Sequence, residues 1–397
     1  MQDLNQEHAA PGWRKPLIAA LLLGGAVSAA AGIANAFHNS SDFQWSGAHL
    51  LLHHVDPWRE ELAGNPRGLI YKIQQPNYLP LLYVLISPVG LLSAVAAQKV
   101  WAFCNLAFLL LSLWGTNRFY GLRSFSGAGL VTALALMATP MRVAIGNGQQ
   151  SLLVLLVWCL ALQHVRLQRR DITIAGISYL KFSFAPPLVM YLWLKNGFRA
   201  LLWSAIPALA GLIVVWLWMT HGHSLHQLVV FAFEPLKVAQ HGYFPIGEDP
   251  NLMDQIEPFL WGHTLTMVQY TAIILTPSLL LTFLMLFNAI KRHPGSSAQW
   301  HLALLGGASY ILFRHHPYDA VTLLFPLAYS VSQWRSPLAK TAFFLLTSVM
   351  VLERITYALA ARSPWYRATP HVMFALEVIA LWLIWRLPSE QSTFSQE

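Results

Sequence analysis

Apolar residues in this chain fall into one long block after another, separated by short polar stretches. Blocks cover residues 16–37, 101–116, 127–141, 152–164, 198–219, 265–290, 302–313, 320–334, 338–358 and 372–387. A helix needs roughly 20 apolar residues to cross the hydrocarbon core, and only closed hydrogen bonding survives there, so the pattern predicts an all-α, polytopic membrane protein. Two further segments are interrupted: 78–97 carries Pro80 and Pro88, and 172–194 carries Lys181, Pro186 and Pro187. Both read as broken or re-entrant elements, a form that persists only where protein or water covers the opened backbone.

Basic residues give the blocks a direction. Arg14/Lys15, Arg118/Arg123, Arg166/Arg169/Arg170, Lys195/Arg199, Lys291/Arg292 and Arg335/Lys340 sit between blocks and belong on the cytoplasmic side. Satisfying all of them gives about ten crossings plus two half-crossings, with both termini cytoplasmic. Lys181 then lies near the tip of the second half-crossing. The polar stretches 39–75, 142–150, 220–263 and 314–319 all fall on the outer side. The chain reads as one integral membrane domain over residues 1–397, with an outer loop at 38–77 and an outer loop or lid at 220–263. Block 16–37 resembles a signal peptide with a cleavage site near residues 34–36. Because everything after it is also membrane-embedded, an uncleaved first helix is the preferred reading.

Composition agrees: 56% of residues are hydrophobic and 11% charged. The formal charge of +8 would suit nucleic acid on a soluble domain, but here it is spread between apolar blocks, where it reports orientation. Cys104 and Cys159 lie inside apolar blocks and read as core side chains. No internal repeat, Walker loop, dinucleotide fingerprint or Asp-x-Asp pair is present, which argues against soluble nucleotide or nucleotide-sugar chemistry. No cofactor is expected.

Candidate chemistry concentrates in the outer stretches. In "NSSDFQWSGAHLLLHHVDPW", Asp42 is a carboxylate at the point where the chain leaves the first block, with His53, His54 and Asp56 close behind. It is either a general base at the edge of a membrane cavity or, with Ser41, the N-cap of an amphipathic surface helix over 43–54. "FRHHPYD" sets Arg314, His315 and His316 against a helix end, with Tyr318 and Asp319 following. This is a phosphate clamp, or an interfacial cap with Arg314 snorkelling to lipid and Asp319 opening the next helix. Lys181, a lone ammonium at membrane depth, marks a functional site or a buried ion pair unless it snorkels. "GNGQQ" offers Asn147 and Gln149 as donors to hydroxyls or phosphate oxygens, or is a plain turn. His221, His223 and His226 lack the partners of a zinc site, and no metal is expected. The 231–244 stretch reads as an amphipathic lid whose Glu234 and His241 are candidates for touching substrate.

The order of these motifs, "SDFQWSGAHLLLHHVDPW", "NYLPLLYVLISPVGLL", "GNGQQSLLVLL", "IAGISYLKFSFAPP" and "FRHHPYDAVTLLFPL", resembles glycosyltransferase family 87 over roughly residues 38–330. That resemblance implies a GT-C fold and an inverting transfer of mannose or a pentose such as arabinofuranose. The sugar would pass from a polyprenyl-phosphate donor to a glycan, glycolipid or protein acceptor. The enzyme would sit in a bacterial inner membrane with its site facing the periplasm or exterior. It further implies Asp42 as catalytic base and matches Lys181, Arg314, His315 and His316, taken here as donor-phosphate ligands; from the residues themselves, Gln149, Asn147, Tyr318, Asp319, His53 and His241 are the candidates around the substrate. The chain departs from the family where Gln150 and Ser151 replace the asparagine that follows the Gly-Gln step, and where "RHHPYD" is more basic than the usual serine-proline version. A secondary transporter or lipid-linked-sugar flippase is the reading from another class, since broken helices and a buried lysine suit it equally.

Overall fold

A computed structural model describes residues 14–71, 74–241, 251–256, 267–293, 296–313, 315–360 and 368–387. Every regular element among them is helical. Four helices are long and apolar enough to cross a membrane: α1 (Arg14–Asn39), α6 (Ala94–Phe119), α12 (Phe198–Thr220) and α19 (Thr369–Arg386). A fifth is added if the bent pair α7 (Phe125–Met137) and α8 (Thr139–Asn147) counts as one span. Their outer faces carry the side chains that a soluble helix would bury. On α12 the exposed stripe is Leu202, Ile206, Leu209, Ile213 and Leu217, and on α6 it includes Phe103, Leu110 and Trp114. Such continuous apolar surface is stable only against lipid. The chain is a membrane protein.

Prolines and glycines decide where the apolar blocks break. The block expected as one crossing at 127–141 turns by 53° between α7 and α8, because Pro140 in the first turn of α8 brings no N–H to continue the preceding helix. Likewise 78–97 is split into α4 (Pro80–Leu85) and α5 (Ser87–Gly90), each with a proline in its first turn. The segment around Lys181 is α10 (Arg169–Gly176), two short 3₁₀ turns, and α11 (Ala185–Asn196). Lys181 lies between those turns with extended backbone, φ −108° and ψ 93°.

The stretch after α1 packs into the protein. The helix α2 (Trp45–Leu52) buries Ser46, Gly47, Ala48, Leu50 and Leu51, and at Gly47 the Tyr83 ring comes so close that a β-carbon would fall 2.2 Å from it. The amphipathic pattern is satisfied by protein, which removes the surface-helix reading. Gln98 Nε2 donates to the Ala36 carbonyl at 2.6 Å, and Trp101 Nε1 to the Gly148 carbonyl at 2.8 Å. Through these bonds α6 ties the end of α1 to the turn that follows α8.

The most enclosed element is α16 (Ala298–Leu312), which buries every residue except Gln299. Its Gly306 accepts the Thr322 backbone and Phe325 ring at distances where a β-carbon would collide. That contact seats the 3₁₀ turn Pro317–Leu323 and α17 (Leu324–Ser332) against it. The same turn packs on α8 and on α9 (Ser151–Ala161), which draws 315–319, 147–151 and 181 together.

The amphipathic helix α13 (Leu225–His241) lies on α3 (Pro57–Leu62), with Phe231 against Trp58 at 5.9 Å between ring centres. Asp56 caps α3 by accepting the Arg59 N–H at 3.0 Å, and the Glu234 carboxyl stands beside it, with Asp56 Oδ2 and Glu234 Oε2 both buried and without a donor. Two carboxyl groups can bond directly only if one holds a proton. Burial, then the Asp56 charge, pushes Glu234 up to about 7, against the opposing pull of Arg59 and Lys237. Glu234 is therefore spent on α3. Since its pKa is raised on docking, the proton-shared contact is fully present below about 4.3, the ordinary glutamate value, and is lost as pH rises through about 7. Hydrogen exchange in α13, corrected for intrinsic rates, is expected to be slower at pH 5.5 than at pH 8 and to lose that difference in Glu234→Gln. Equal protection at both pH values in the wild type would contradict the shared proton.

Candidate functional site

Asp42 is positioned by backbone on both sides. Its N–H donates to the Asn147 carbonyl at 3.1 Å, and its own carbonyl accepts Gln150 Nε2 at 3.3 Å. Gly148, at φ +79°, ends α8 in the left-handed region and leaves no room for a β-carbon, which would stand 2.7 Å from both Phe43 Cβ and Ser40 Oγ. Glycine is needed there for conformation and for space. The expected N-cap role of Ser41 or Asp42 is not realised. The residue before α2 is Gln44, itself left-handed at φ 57° and without a side-chain cap.

That carboxylate meets two amide donors instead. Gln44 Nε2 donates to Oδ1, and Gln149 Nε2 donates to Oδ2 at 2.5 Å. Tyr83 Oη fixes Gln44 by donating to its Oε1 at 3.0 Å. Asp42 keeps partial contact with solvent, yet protein packs densely around its carboxyl. Burial raises its pKa above the ordinary range; the Gln149 and Gln44 bonds and the charges of Lys181 and His316 recover only part of that shift. The result is a carboxylate with a stronger than usual affinity for a proton.

A second carboxylate lies beyond Gln149. Lys181 Nζ donates to Asp319 Oδ1 at 2.5 Å, to Ser151 Oγ at 3.0 Å and to Gln149 Oε1 at 3.5 Å. It also lies 4.7 Å from the centre of the Tyr318 ring, within cation–π range. Ser151 Oγ donates to Asp319, and His315 Nδ1 bonds the other Asp319 oxygen at 3.1 Å. Burial alone would raise the Asp319 carboxyl, but the Lys181 ammonium and His315 more than offset it and hold it below the ordinary range. His315 is pushed the other way, because burial outweighs its bond to Asp319. The cluster therefore reads as an ionised Asp319 carboxylate beside a neutral His315. A continuous chain of hydrogen bonds runs Tyr83, Gln44, Asp42, Gln149, Lys181, Asp319 and His315.

The structure thus brings Asp42, Gln149, Lys181, Tyr318, Asp319 and His315 into one cluster, and the His316 charge reaches Asp42. Asp319 does not open the next helix as a cap; its carboxylate is taken by Lys181, Ser151 and His315. Lys181 Nζ finds its three acceptors within the protein, and one of them orients Gln149. Asn147 contributes its carbonyl. His53 is exposed on the far end of α2, its ring 4.6 Å from His49, and does not join the cluster. Arg314 and the side chain of His241 lie outside the described residues. Among the described residues no group of three or more His, Cys, Asp or Glu side chains is placed to hold a metal ion.

Sequence reasoning missed Gln44, Tyr83, Ser151 and Tyr78. Tyr78 is buried where both Asp42 and Asp319 act on its hydroxyl. The available signal was Gln44 two residues after the candidate base and Ser151 adjoining Gln149 and Gln150. Tyr78 and Tyr83 lie in an apolar block and carried none. No protein family, curated protein or solved structure matches this chain.

Removing one member of the Lys181–Asp319 pair leaves a buried charge. Lys181→Met is expected to cost about 3–5 kcal/mol of stability, and Lys181→Met with Asp319→Asn to recover a large part of it. Denaturant unfolding of the singles and the double in one detergent reads this coupling; additive losses would show that the pair does not interact.

Proposed function

We propose that this protein is an inverting membrane glycosyltransferase of the GT-C type, resembling glycosyltransferase family 87. It moves a sugar, mannose or a pentose such as arabinofuranose, from a polyprenyl-phosphate donor to an acceptor hydroxyl on the outer face of the membrane. The observation that carries the reading is Asp42: a carboxylate with raised proton affinity, held by two amides at the end of the first span, next to a buried ionic cluster. In this reading about ten crossings and two half-crossings frame the site, and the breaks at 78–97 and around Lys181 leave a lateral path for the isoprenoid chain.

The acceptor oxygen attacks the anomeric carbon as the bond from that carbon to the phosphate oxygen breaks. Asp42 takes the acceptor proton, and polyprenyl phosphate leaves with the bonding electron pair. Phosphate is already a good leaving group, so the protein's task is to place the base and to stabilise the charge that grows on the phosphate oxygens. In this reading the tasks fall to separate residues. Gln44 and Gln149 aim the carboxylate, and Lys181 with Asp319 holds Gln149. His316, together with Arg314 from the same sequence stretch, supplies positive charge for the phosphate.

The break at Lys181 within a discontinuous helix also suits a proton-coupled transporter of lipid-linked sugar. One assay separates the two. In proteoliposomes with radiolabelled polyprenyl-phosphate sugars and a panel of acceptors, Asp42→Asn is expected to lower glycosyl transfer roughly 10²- to 10⁴-fold with donor binding retained. Transfer at the wild-type rate in Asp42→Asn would remove it as the base. Movement of labelled donor across the bilayer without transfer would favour the transporter.

A further inference from the structure

The helix α13 carries apolar side chains on two opposite faces, and the protein covers only one of them. Phe231, Glu234, Pro235 and Val238 are buried, in a helix that packs on α3, α4 and α12. Leu225, Val229, Phe233 and Leu236 are exposed, Phe233 by 56%. Their spacing of i, i+4, i+8 and i+11 aligns them in one stripe on the side away from Phe231 and Val238. A contiguous stripe of large apolar side chains marks a surface that something apolar covers.

The end of α12 indicates what covers it. One side of α12 meets α4 so closely that a β-carbon on Gly211 would stand 2.5 Å from Leu81 Cα, while Leu209, Ile213 and Leu217 belong to its lipid-facing stripe. Trp216 and Trp218 occupy its last turn, and tryptophans favour the level where hydrocarbon gives way to headgroups. Trp216 Nε1 donates to the Ser224 carbonyl at 3.1 Å, and the left-handed residues His221, Gly222 and Ser224, at φ 53°, 80° and 66°, bend the chain between them. The helix α13 therefore starts at that level. Its 17 residues reach about 25 Å, short of the roughly 30 Å core, and His226, Gln227, Glu234 and Lys237 along its length oppose burial in hydrocarbon. Such a helix is stable in the plane of the interface, with its apolar face at the boundary between headgroups and acyl chains.

We propose that the outward stripe of α13 is a lipid-binding surface, inserted into the leaflet at the C-terminal end of α12 and continuous with the lipid-facing stripe of that span. The helix is then held from two sides, by α3 through Phe231 and by acyl chains through Val229, Phe233 and Leu236. The segment that reads as a lid in the sequence is thereby anchored to the bilayer. This surface does not depend on the glycosyl-transfer reading, because it needs only membrane residence and its readout is contact with lipid.

The test uses the full chain in phosphatidylcholine nanodiscs, with Cys104→Ser as background and Cys159 buried. Single cysteines introduced as His226→Cys, Val229→Cys, Phe233→Cys and Leu236→Cys, all at exposed positions, each carry an environment-sensitive fluorophore. At 229, 233 and 236 the emission is expected to shift to the blue and to be quenched by phospholipid brominated on its acyl chains. At 226, off the stripe, it is expected to stay at longer wavelength and to be quenched by aqueous iodide. Iodide quenching at 229 and 233 equal to that at 226 would put the stripe in water and overturn the proposal. Blue-shifted emission that brominated lipid does not quench would mean that protein, such as a second copy of the chain, covers the stripe, and would overturn it as well.

Discussion

A buried ammonium whose protons are all taken by the protein is the constraint on which the rest of this site depends. Lys181 can be buried only because Asp319 neutralises it and Ser151 and Gln149 accept its remaining hydrogens. The partners come from two remote parts of the chain: Asp319 from the turn after α16, and Gln149 and Ser151 from the junction between α8 and α9. Desolvating two charges costs several kcal/mol per ion and is recovered only when geometry is satisfied on every side. The pair therefore acts less as a source of stability than as a register pin, which penalises any packing of α9, the 3₁₀ turn and the Lys181 break other than the one observed.

From that pin the order extends outward to Asp42. Gln149 has one amide with two ends: its oxygen accepts from Lys181, and its nitrogen donates to Asp42. Fixing the first end fixes the orientation of the second. Tyr83 does the same for Gln44 from the opposite side. The carboxylate is thereby clamped between two oriented amides while burial raises its proton affinity, the combination that general-base chemistry needs: a defined direction and a proton affinity moved towards neutrality. The Asp56–Glu234 pair under α13 is a separate ionisable contact at the edge of the same outer region, and it responds to pH by a different route.

Much of this was legible in the chain. Apolar blocks gave helices and membrane residence, and Pro80 and Pro88 marked a place where helices break, whereas the bend at Pro140 fell inside a block read as one crossing. A lone lysine among apolar residues had to find a carboxylate or reach the surface, and it found Asp319. What was not legible depends on long-range packing. Nothing local distinguishes Asp42 as a helix cap from Asp42 as a clamped base; the second depends on Gln149, more than a hundred residues away. Tyr78 and Tyr83 are indistinguishable from core residues until α2 is placed on α4. His53 looked as promising as His315 in sequence, but the end of α2 carries it to the exposed surface. Lys181, expected as a phosphate ligand, instead lies within reach of three protein acceptors, Asp319, Ser151 and Gln149, which the sequence alone did not place beside it.

The most direct test of the account is the protonation of the Asp42 carboxyl itself, followed by infrared titration as the difference between wild type and Asp42→Asn. The clamped, buried carboxylate predicts a midpoint above the ordinary aspartate value of about 3.9. It also predicts a further rise when Gln149→Leu removes one amide, since that bond lowers the pKa. An ordinary midpoint that Gln149→Leu does not move would mean that neither burial nor the amide clamp acts on Asp42, and the chain of control from Lys181 would be contradicted.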